Sequence, residues 1–269
     1  MKLILALIPV TLTASLALAE PEKPNNPLAD GTTWRDLKGD VVGEAAILDG
    51  SALFSVTAPY RANDAATVPV TIEQTDAADP IESLKLVIDE NPAPVAAEIR
   101  FGPAMAPLKF ETRVRVNQYS NIRAIAETPR GIFMNGRFVK ASGGCSAPAT
   151  KDPVAALKDM GEMRLKLFDG KGEVQKARRE AQIMIRHPNY SGLQRDQITQ
   201  LFVSAKFITE LVVKQGDELL FALDGGISIS ENPVFRFSYT DNGAPVITVH
   251  AVDTDGNVFD RVLPKTPPA

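Results

Sequence analysis

The sequence predicts an all-β protein: two immunoglobulin-like β-sandwich domains joined by a flexible, cysteine-bearing segment and a short helix. Three observations carry this. Apolar residues recur with period two, turn-forming residues punctuate them at short intervals, and the pattern runs once on each side of a stretch of small residues around Cys145. With 44% hydrophobic and 23% charged residues among 269, the composition is that of a folded globular chain rather than a disordered one. A net charge of -4 supplies no global basic field, which argues against nucleic-acid binding. One cysteine excludes an internal disulfide and a cysteine-based zinc site, and two histidines leave little for a histidine metal centre.

The chain opens with Met1-Lys2, an apolar run from Leu3 to Ala19, and Ala17-Leu18-Ala19 before Glu20. A basic residue, an apolar stretch and a small-x-small site predict a secretory signal peptide over residues 1–19, and hence an exported protein. Pro9, Thr11, Thr13 and Ser15 interrupt the run, which falls short of the ~20 apolar residues of a membrane span. Residues 20–49 read as an exposed lead-in with a short helix over Thr33–Val42, capped by a threonine.

The first sandwich is placed at 50–141. Leu84, Leu86 and Ile88 alternate with Lys85 and Asp89; Phe110, Thr112, Val114 and Val116 with Glu111, Arg113 and Arg115; Ile122, Ala124 and Ala126 with Asn121, Arg123 and Glu127. Each run offers one face to a core and one to water. The second sandwich is placed at 163–263, where Met163, Leu165 and Leu167 begin a new alternating series. Ile183 and Ile185 follow, then Phe207, Thr209, Leu211 and Val213; Leu219, Phe221 and Leu223; Phe235, Phe237 and Tyr239; and Val246, Thr248, His250 and Val252. Gly216-Asp217, Asn232-Pro233, Asp241-Asn242-Gly243 and Asp255-Gly256 separate them, and 264–269 form a tail.

Residues 142–162 join the halves. Ser142-Gly143-Gly144-Cys145-Ser146-Ala147-Pro148 is almost wholly small residues and helix breakers, and Asp152-Pro153 opens a short helix over Val154–Met160 that stops at Gly161. Gly143, Gly144 and Ser146 raise no steric wall, so Cys145 is expected to be exposed and mobile. A free thiol is only a few per cent thiolate at neutral pH, and no His, Asn or Asp adjoins it as a base. The residues therefore suit an S–S link to a cargo supplied by a partner. An incidental exposed thiol and a disulfide-linked dimer through Cys145 remain alternatives.

These residues resemble the Sox sulfur-carrier pair, with the Y subunit in the first half and the Z subunit in the second. The Y-like features are Ala58-Pro59-Tyr60-Arg61-Ala62-Asn63-Asp64, Val68-Pro69-Val70, Asn91-Pro92-Ala93-Pro94-Val95-Ala96, Thr112-Arg113-Val114-Arg115-Val116, Ala124-Ile125-Ala126-Glu127 and Gly143-Gly144-Cys145. The Z-like ones are Met184-Ile185-Arg186-His187-Pro188, Ser191-Gly192, Glu231-Asn232-Pro233-Val234-Phe235-Arg236-Phe237 and Asp255-Gly256-Asn257. The resemblance implies an immunoglobulin-like sandwich in each half and a periplasmic carrier, without turnover of its own, whose cysteine holds sulfur intermediates while partner enzymes act on them. Only Cys145 inherits that role. In the family the motif ends Gly-Gly-Cys-Gly-Gly at the chain terminus, whereas here Ser146-Ala147-Pro148 follows and the chain continues. That departure resembles the fused carriers associated with quinoprotein dehydrogenases, implying dehydrogenase or cytochrome partners. A non-covalent docking module for such a dehydrogenase and its acceptor, and a stand-alone thiol enzyme, are the competing functions.

Other features read as structural. His187, before Pro188, suits a strand end; His250 alternates with Thr248 and Val252, as a core-facing or edge imidazole would. Asp253-Thr254-Asp255-Gly256-Asn257 begins like a calcium loop, but position twelve is Pro264, so a hairpin turn is expected. Lys176, Arg178, Arg179 and Glu180 form a mixed charge run at a strand entrance, and Trp34 suits local packing. No phosphate loop, dinucleotide fingerprint, serine-nucleophile elbow or zincin motif occurs, so no cofactor is expected.

Overall fold

The computed structural model describes residue 28 and residues 30–74, 78–148, 157–168, 178–197 and 199–265. The predicted signal peptide, the start of the predicted helix at Asp152-Pro153, and Lys176 lie outside these. Helix α1 (Thr32–Val42) precedes β1 (Ile47–Asp49), β2 (Phe54–Thr57), β3 (Val68–Gln74), β4 (Ser83–Ile88), β5 (Val95–Phe101), β6 (Lys109–Val114), β7 (Ser120–Thr128) and β8 (Gly131–Val139). The second half supplies β9 (Met163–Phe168), β10 (Arg178–Ile185), β11 (Ile208–Gln215), β12 (Glu218–Gly225), β13 (Val234–Thr240), β14 (Val246–Asp253) and β15 (Val258–Pro264). Of the short helix before Gly161, Leu157 and Lys158 are described and helical.

Among the described residues the strands form two sheets, ordered β1-β8-β7-β4-β5-β12-β11-β14-β15 and β2-β3-β6-β13-β10-β9. The protein is all-β, and each half is a two-layer sandwich. The halves join edge to edge in both layers. In the larger sheet β5 pairs antiparallel with β12, from Phe101↔Phe221 to Ala97↔Gly225; in the smaller, β6 meets β13 at Glu111↔Arg236 and Phe110↔Phe237. One hydrophobic cluster consequently runs through both halves, with Phe110, Phe221, Phe235 and Phe237 buried where they meet. Phe110 stands edge-on to Phe221 at 5.2 Å, and Phe221 to Phe237 at 5.2 Å, a geometry aromatic quadrupoles favour. Sheet closure across the seam leaves the halves sharing one core, so the connecting segment is not what holds them together.

Period-two reading places the inner face well at Leu84/Leu86/Ile88, Ile122/Ala124/Ala126 and Phe235/Phe237/Tyr239, all buried. Two strands depart from it. On β14 the phase is shifted by one: Ile247, Val249 and Ala251 face the core, while Thr248 and His250 lie on the opposite face. On β11 the register shifts between Ile208 and Glu210, which buries Ile208 instead of Thr209. At β12, Leu220 is buried beside Phe221, an irregularity accompanied by a register shift at Val213/Lys214.

The outer face of the first half is not left to water either. Helix α1 lies over it, and Trp34 and Val41 pack on Val87, Ile125 and Met134 as a second cluster. The helix starts at Gly31 without a side-chain cap, where a threonine cap was expected, and ends at Gly43 with φ 63°, the left-handed stop that glycine provides. Beneath it Arg123 and Asp89, both expected on a water face, are buried as an ion pair with Arg123 Nε 2.8 Å from Asp89 Oδ1. The Trp34 ring covers the guanidinium at 4.5 Å.

Candidate functional site

Cys145 follows β8 and sits in a turn that closes onto the seam between the halves. Contrary to the expected exposed and mobile arm, its relative exposure is 0 %. The backbone explains this. Gly143 N–H donates to Asn117 O at 2.8 Å, Gly144 N–H to Val116 O at 3.0 Å, and Ser146 N–H to Gly143 O at 3.2 Å. A Cβ on Gly144 would stand 2.1 Å from Ala65 O and 2.7 Å from Val116 O, so the second glycine allows the turn to press against the strand rather than to swing. Gly143, with φ 78°, turns the chain and has nothing within 4 Å of its Cβ position. Ser142 and Ser146 are exposed on either side.

Both halves hold the turn. Arg115, just past β6, is buried and donates from one terminal nitrogen to Gly144 O at 3.2 Å and from the other to Asn189 O at 3.1 Å. From the second half Ser191 Oγ donates to Cys145 O at 2.5 Å. Gln194 Oε1 in turn accepts from Ser191 N–H at 2.9 Å. Asn91 ties the first half's end of the network together: its Nδ2 donates to Arg115 O at 2.7 Å and to Ser228 Oγ at 2.9 Å, and its Oδ1 accepts from Asn117 N–H at 2.8 Å. The period put Arg115 toward water; the second half's loop between β10 and β11 and the turn itself cover it instead.

Burial pushes the Cys145 thiol up from 9.0 to about 11, with the nearby Arg115 charge pulling partly the other way. Arg115 itself is lowered, chiefly by burial. The docked thiol is therefore protonated and shielded at neutral pH. While docked, the sulfur lies out of reach of a second sulfur, so a disulfide through Cys145 requires the turn to open first. Because the thiol's value is raised in the docked form, the docked turn is fully favoured below about 9 and loses that preference as pH climbs toward 11. Alkylation of Cys145 by iodoacetamide at neutral pH should run at least roughly a hundredfold slower than for a small free thiol. It should accelerate with rising pH and with urea below the unfolding transition; a rate equal to that of free cysteine would contradict the docked turn.

The other candidates are accounted for structurally. His187 is buried beyond the end of β10, its Nδ1 2.8 Å from Asn189 Oδ1 and its Nε2 3.4 Å from Asp253 Oδ2; burial lowers its pKa. His250 pairs with Asp260 at 2.7 Å, and neither histidine bonds the sulfur. Asp253 closes the β14–β15 hairpin by accepting from Asp255 N–H, Asn257 N–H and Asn257 Nδ2, with Gly256 at φ 78°. Arg178 donates to the carbonyls of Met105, Ala106, Pro107 and Ser238, while Arg179 pairs with Asp241 and Glu180 with Arg236. The charge run thus braces a strand end. No group of three or more potential metal ligands occurs among the described residues, and no described helix is long and apolar enough to cross a membrane. Sequence reasoning missed Asn91, Arg115, Ser191 and Gln194. Asn91, Arg115 and Ser191 lie within the motifs that carry the resemblance, but nothing local in them marks a role at the cysteine, and Gln194 lies just beyond one.

Fold and turn together define a two-sandwich β protein with one thiol clasped at its seam. Residues 38–145 match the family model of the sulfur oxidation protein SoxY, and residues 169–263 that of the sulphur oxidation protein SoxZ. The chain therefore belongs to these sulfur-oxidation families, carrying a SoxY-like and a SoxZ-like part in one polypeptide. The families indicate a sulfur-oxidation carrier protein, and their members interact with other sulfur-oxidation proteins. Among solved structures, the sulfur carrier protein SoxY from Chlorobium limicola f thiosulfatophilum is similar at 21% identity, covering 42% of this chain and 98% of its own, with a TM-score of 0.35. The comparison with curated proteins found no match.

Proposed function

We propose that this is an exported, periplasmic carrier that binds a sulfur-containing intermediate through an S–S bond to Cys145 and presents it to partner enzymes, performing no turnover itself. The observation that carries the reading is that the SoxY match closes on Cys145, at the tip of a turn built from main-chain hydrogen bonds. The docked turn is the resting form. Its release breaks a handful of hydrogen bonds rather than a core, and Gly143 provides the conformational freedom for that movement. The bond between Ser146 and the continuing chain keeps the turn tethered at both ends, so a loading partner must come to the seam. Quinoprotein dehydrogenase or cytochrome components of an alcohol- or sulfur-oxidising system fit such a partner.

The complete burial of the thiol favours one other reading, a non-covalent docking module in which Cys145 is a packing residue. A single experiment separates them. Protein purified natively without reductant from cells oxidising reduced sulfur or alcohol is expected to carry sulfur-bearing adducts on Cys145 by mass spectrometry. Cys145→Ser should lose both the adducts and the growth phenotype. A phenotype unchanged by Cys145→Ser, with unmodified thiol in the native protein, would establish the docking module instead.

A further inference from the structure

Two buried N–H donors in the network that clasps the Cys145 turn have no acceptor. Arg115 uses both terminal nitrogens on main-chain carbonyls, but its Nε has no hydrogen-bond partner although the residue is 1 % exposed. Gln194 anchors Ser191 through Oε1, which fixes the orientation of its amide, and leaves its own buried Nε2 without a partner. Both belong to the network that holds the cysteine: Arg115 bonds Gly144 O, next to it in the chain, and Gln194 reaches Cys145 O through two hydrogen bonds by way of Ser191 Oγ. Arg115 is moreover a buried cation that donates to the neutral carbonyls of Gly144 and Asn189, with the charges of Glu231 and Asp64 also acting on it. Orphaned buried donors are costly unless something supplies acceptors.

We propose that Arg115 and Gln194 form a seat for the anionic head of a sulfur oxyanion carried on Cys145, making the protein selective for negatively charged over neutral cargo. The idea rests on Cys145 being the cargo thiol. A sulfonate-type terminus brings three acceptor oxygens and one negative charge, matching an Nε–H, an amide N–H and a guanidinium that the empty turn leaves incompletely used. Arg115 and Gln194 act as specificity-determining residues, since they recognise the head of the cargo while the sulfur atom holds its tail. Admitting the head requires the turn to shift outward, toward the groove of about 310 Å³ between Ser146, Pro148, Leu193 and Arg195.

The test compares two adducts on the purified full chain. Tetrathionate loads the anionic one: the Cys145 thiolate attacks an inner sulfur, the central S–S bond breaks, and thiosulfate departs with the electron pair, leaving a Cys145 S-thiosulfonate. The thiol proton goes to solvent, the cysteine is oxidised to the disulfide level and the departing half is reduced. Methyl methanethiosulfonate loads the neutral one by the same displacement, with methanesulfinate leaving and a methyl disulfide remaining. In the unsubstituted protein the thiosulfonate form should melt above the methyl disulfide form by about 3 °C or more, as a charge-assisted contact in a domain of this size implies. Arg115→Gln should abolish or invert that gap, and Gln194→Leu should narrow it with the charge still present. A thiosulfonate form that melts no higher than the methyl disulfide form, or a gap untouched by both substitutions, would overturn the seat. These melts need no cellular activity, so they can fail while Cys145 is confirmed as the carrier in cells, and the reverse.

Discussion

Replacing Gly144 by alanine should expel the Cys145 turn from the seam and raise the thiol's alkylation rate at neutral pH roughly a hundredfold, to that of an ordinary cysteine. The reason is steric and local. The added methyl would meet Ala65 O at 2.1 Å and Val116 O at 2.7 Å, both main-chain atoms of packed segments that cannot retreat like the end of a long side chain. The cheaper response is for the turn to leave, giving up its bonds to Asn117, Val116, Arg115 and Ser191. Once outside, sulfur regains solvent and its pKa falls from about 11 toward 9.0. Alanine at Ser142, which is exposed, should leave the rate unchanged. If Gly144→Ala reacted as slowly as the parent, the turn would have absorbed the methyl and the main-chain clamp would not be what hides the thiol. Expelled turns should also carry cargo to partners more readily, so the same variant links the resting geometry to the proposed carrier role.

The largest stability effect is expected at the buried ion pair under α1. Arg123→Met should lower stability by about 3–5 kcal/mol, because it leaves the Asp89 carboxylate buried and unpaired. Arg123 contacts Asp89 through Nε and a terminal nitrogen, at 2.8 Å each, and lies beneath the Trp34 ring. Its loss therefore also loosens the helix that covers the outer face of β4, β7 and β8. Urea titration should show the midpoint falling with little change in slope. Arg123→Met combined with Asp89→Leu should recover more than half the loss, since an apolar pair of similar volume suffers no desolvation penalty. A double variant as unstable as the single one would mean that the ion pair itself, rather than the orphaned charge, holds that face.

Strand positions and inner faces were legible where one face is apolar and the other is not. Leu84, Leu86 and Ile88, or Phe235, Phe237 and Tyr239, announce their orientation because alternation is a property of a single strand's geometry. The rule fails on β14, where the alternation Val246, Thr248, His250 and Val252 competes with Ile247, Val249 and Ala251, and the latter set is the buried one. With β-branched residues on both faces, the pattern has no preferred phase, and only pairing with β11 and β15 selects it. It failed again at Ile208, since a bulge changes which side a residue faces without changing the residue.

Charge misled in the same manner. Arg115, Arg123 and Asp89 look like solvent-facing residues, and each is buried by an element distant in the chain: a loop of the second half in one case, the N-terminal helix in the others. For Cys145, composition spoke correctly of a turn and wrongly of its freedom. Glycine permits close approach as readily as motion, and the choice depends on whether a partner surface is at hand.

What the sequence determined alone was the all-β class, its repetition in two halves, and the singular thiol on a glycine turn between them, because each follows from residue type and local spacing. The fusion of the halves through both sheets and the concealment of Cys145 were decided by tertiary structure. So was the assembly of Asn91, Arg115, Ser191 and Gln194 around the turn. They depend on surfaces meeting across as many as 137 residues of chain, and no local pattern encodes which surfaces those will be.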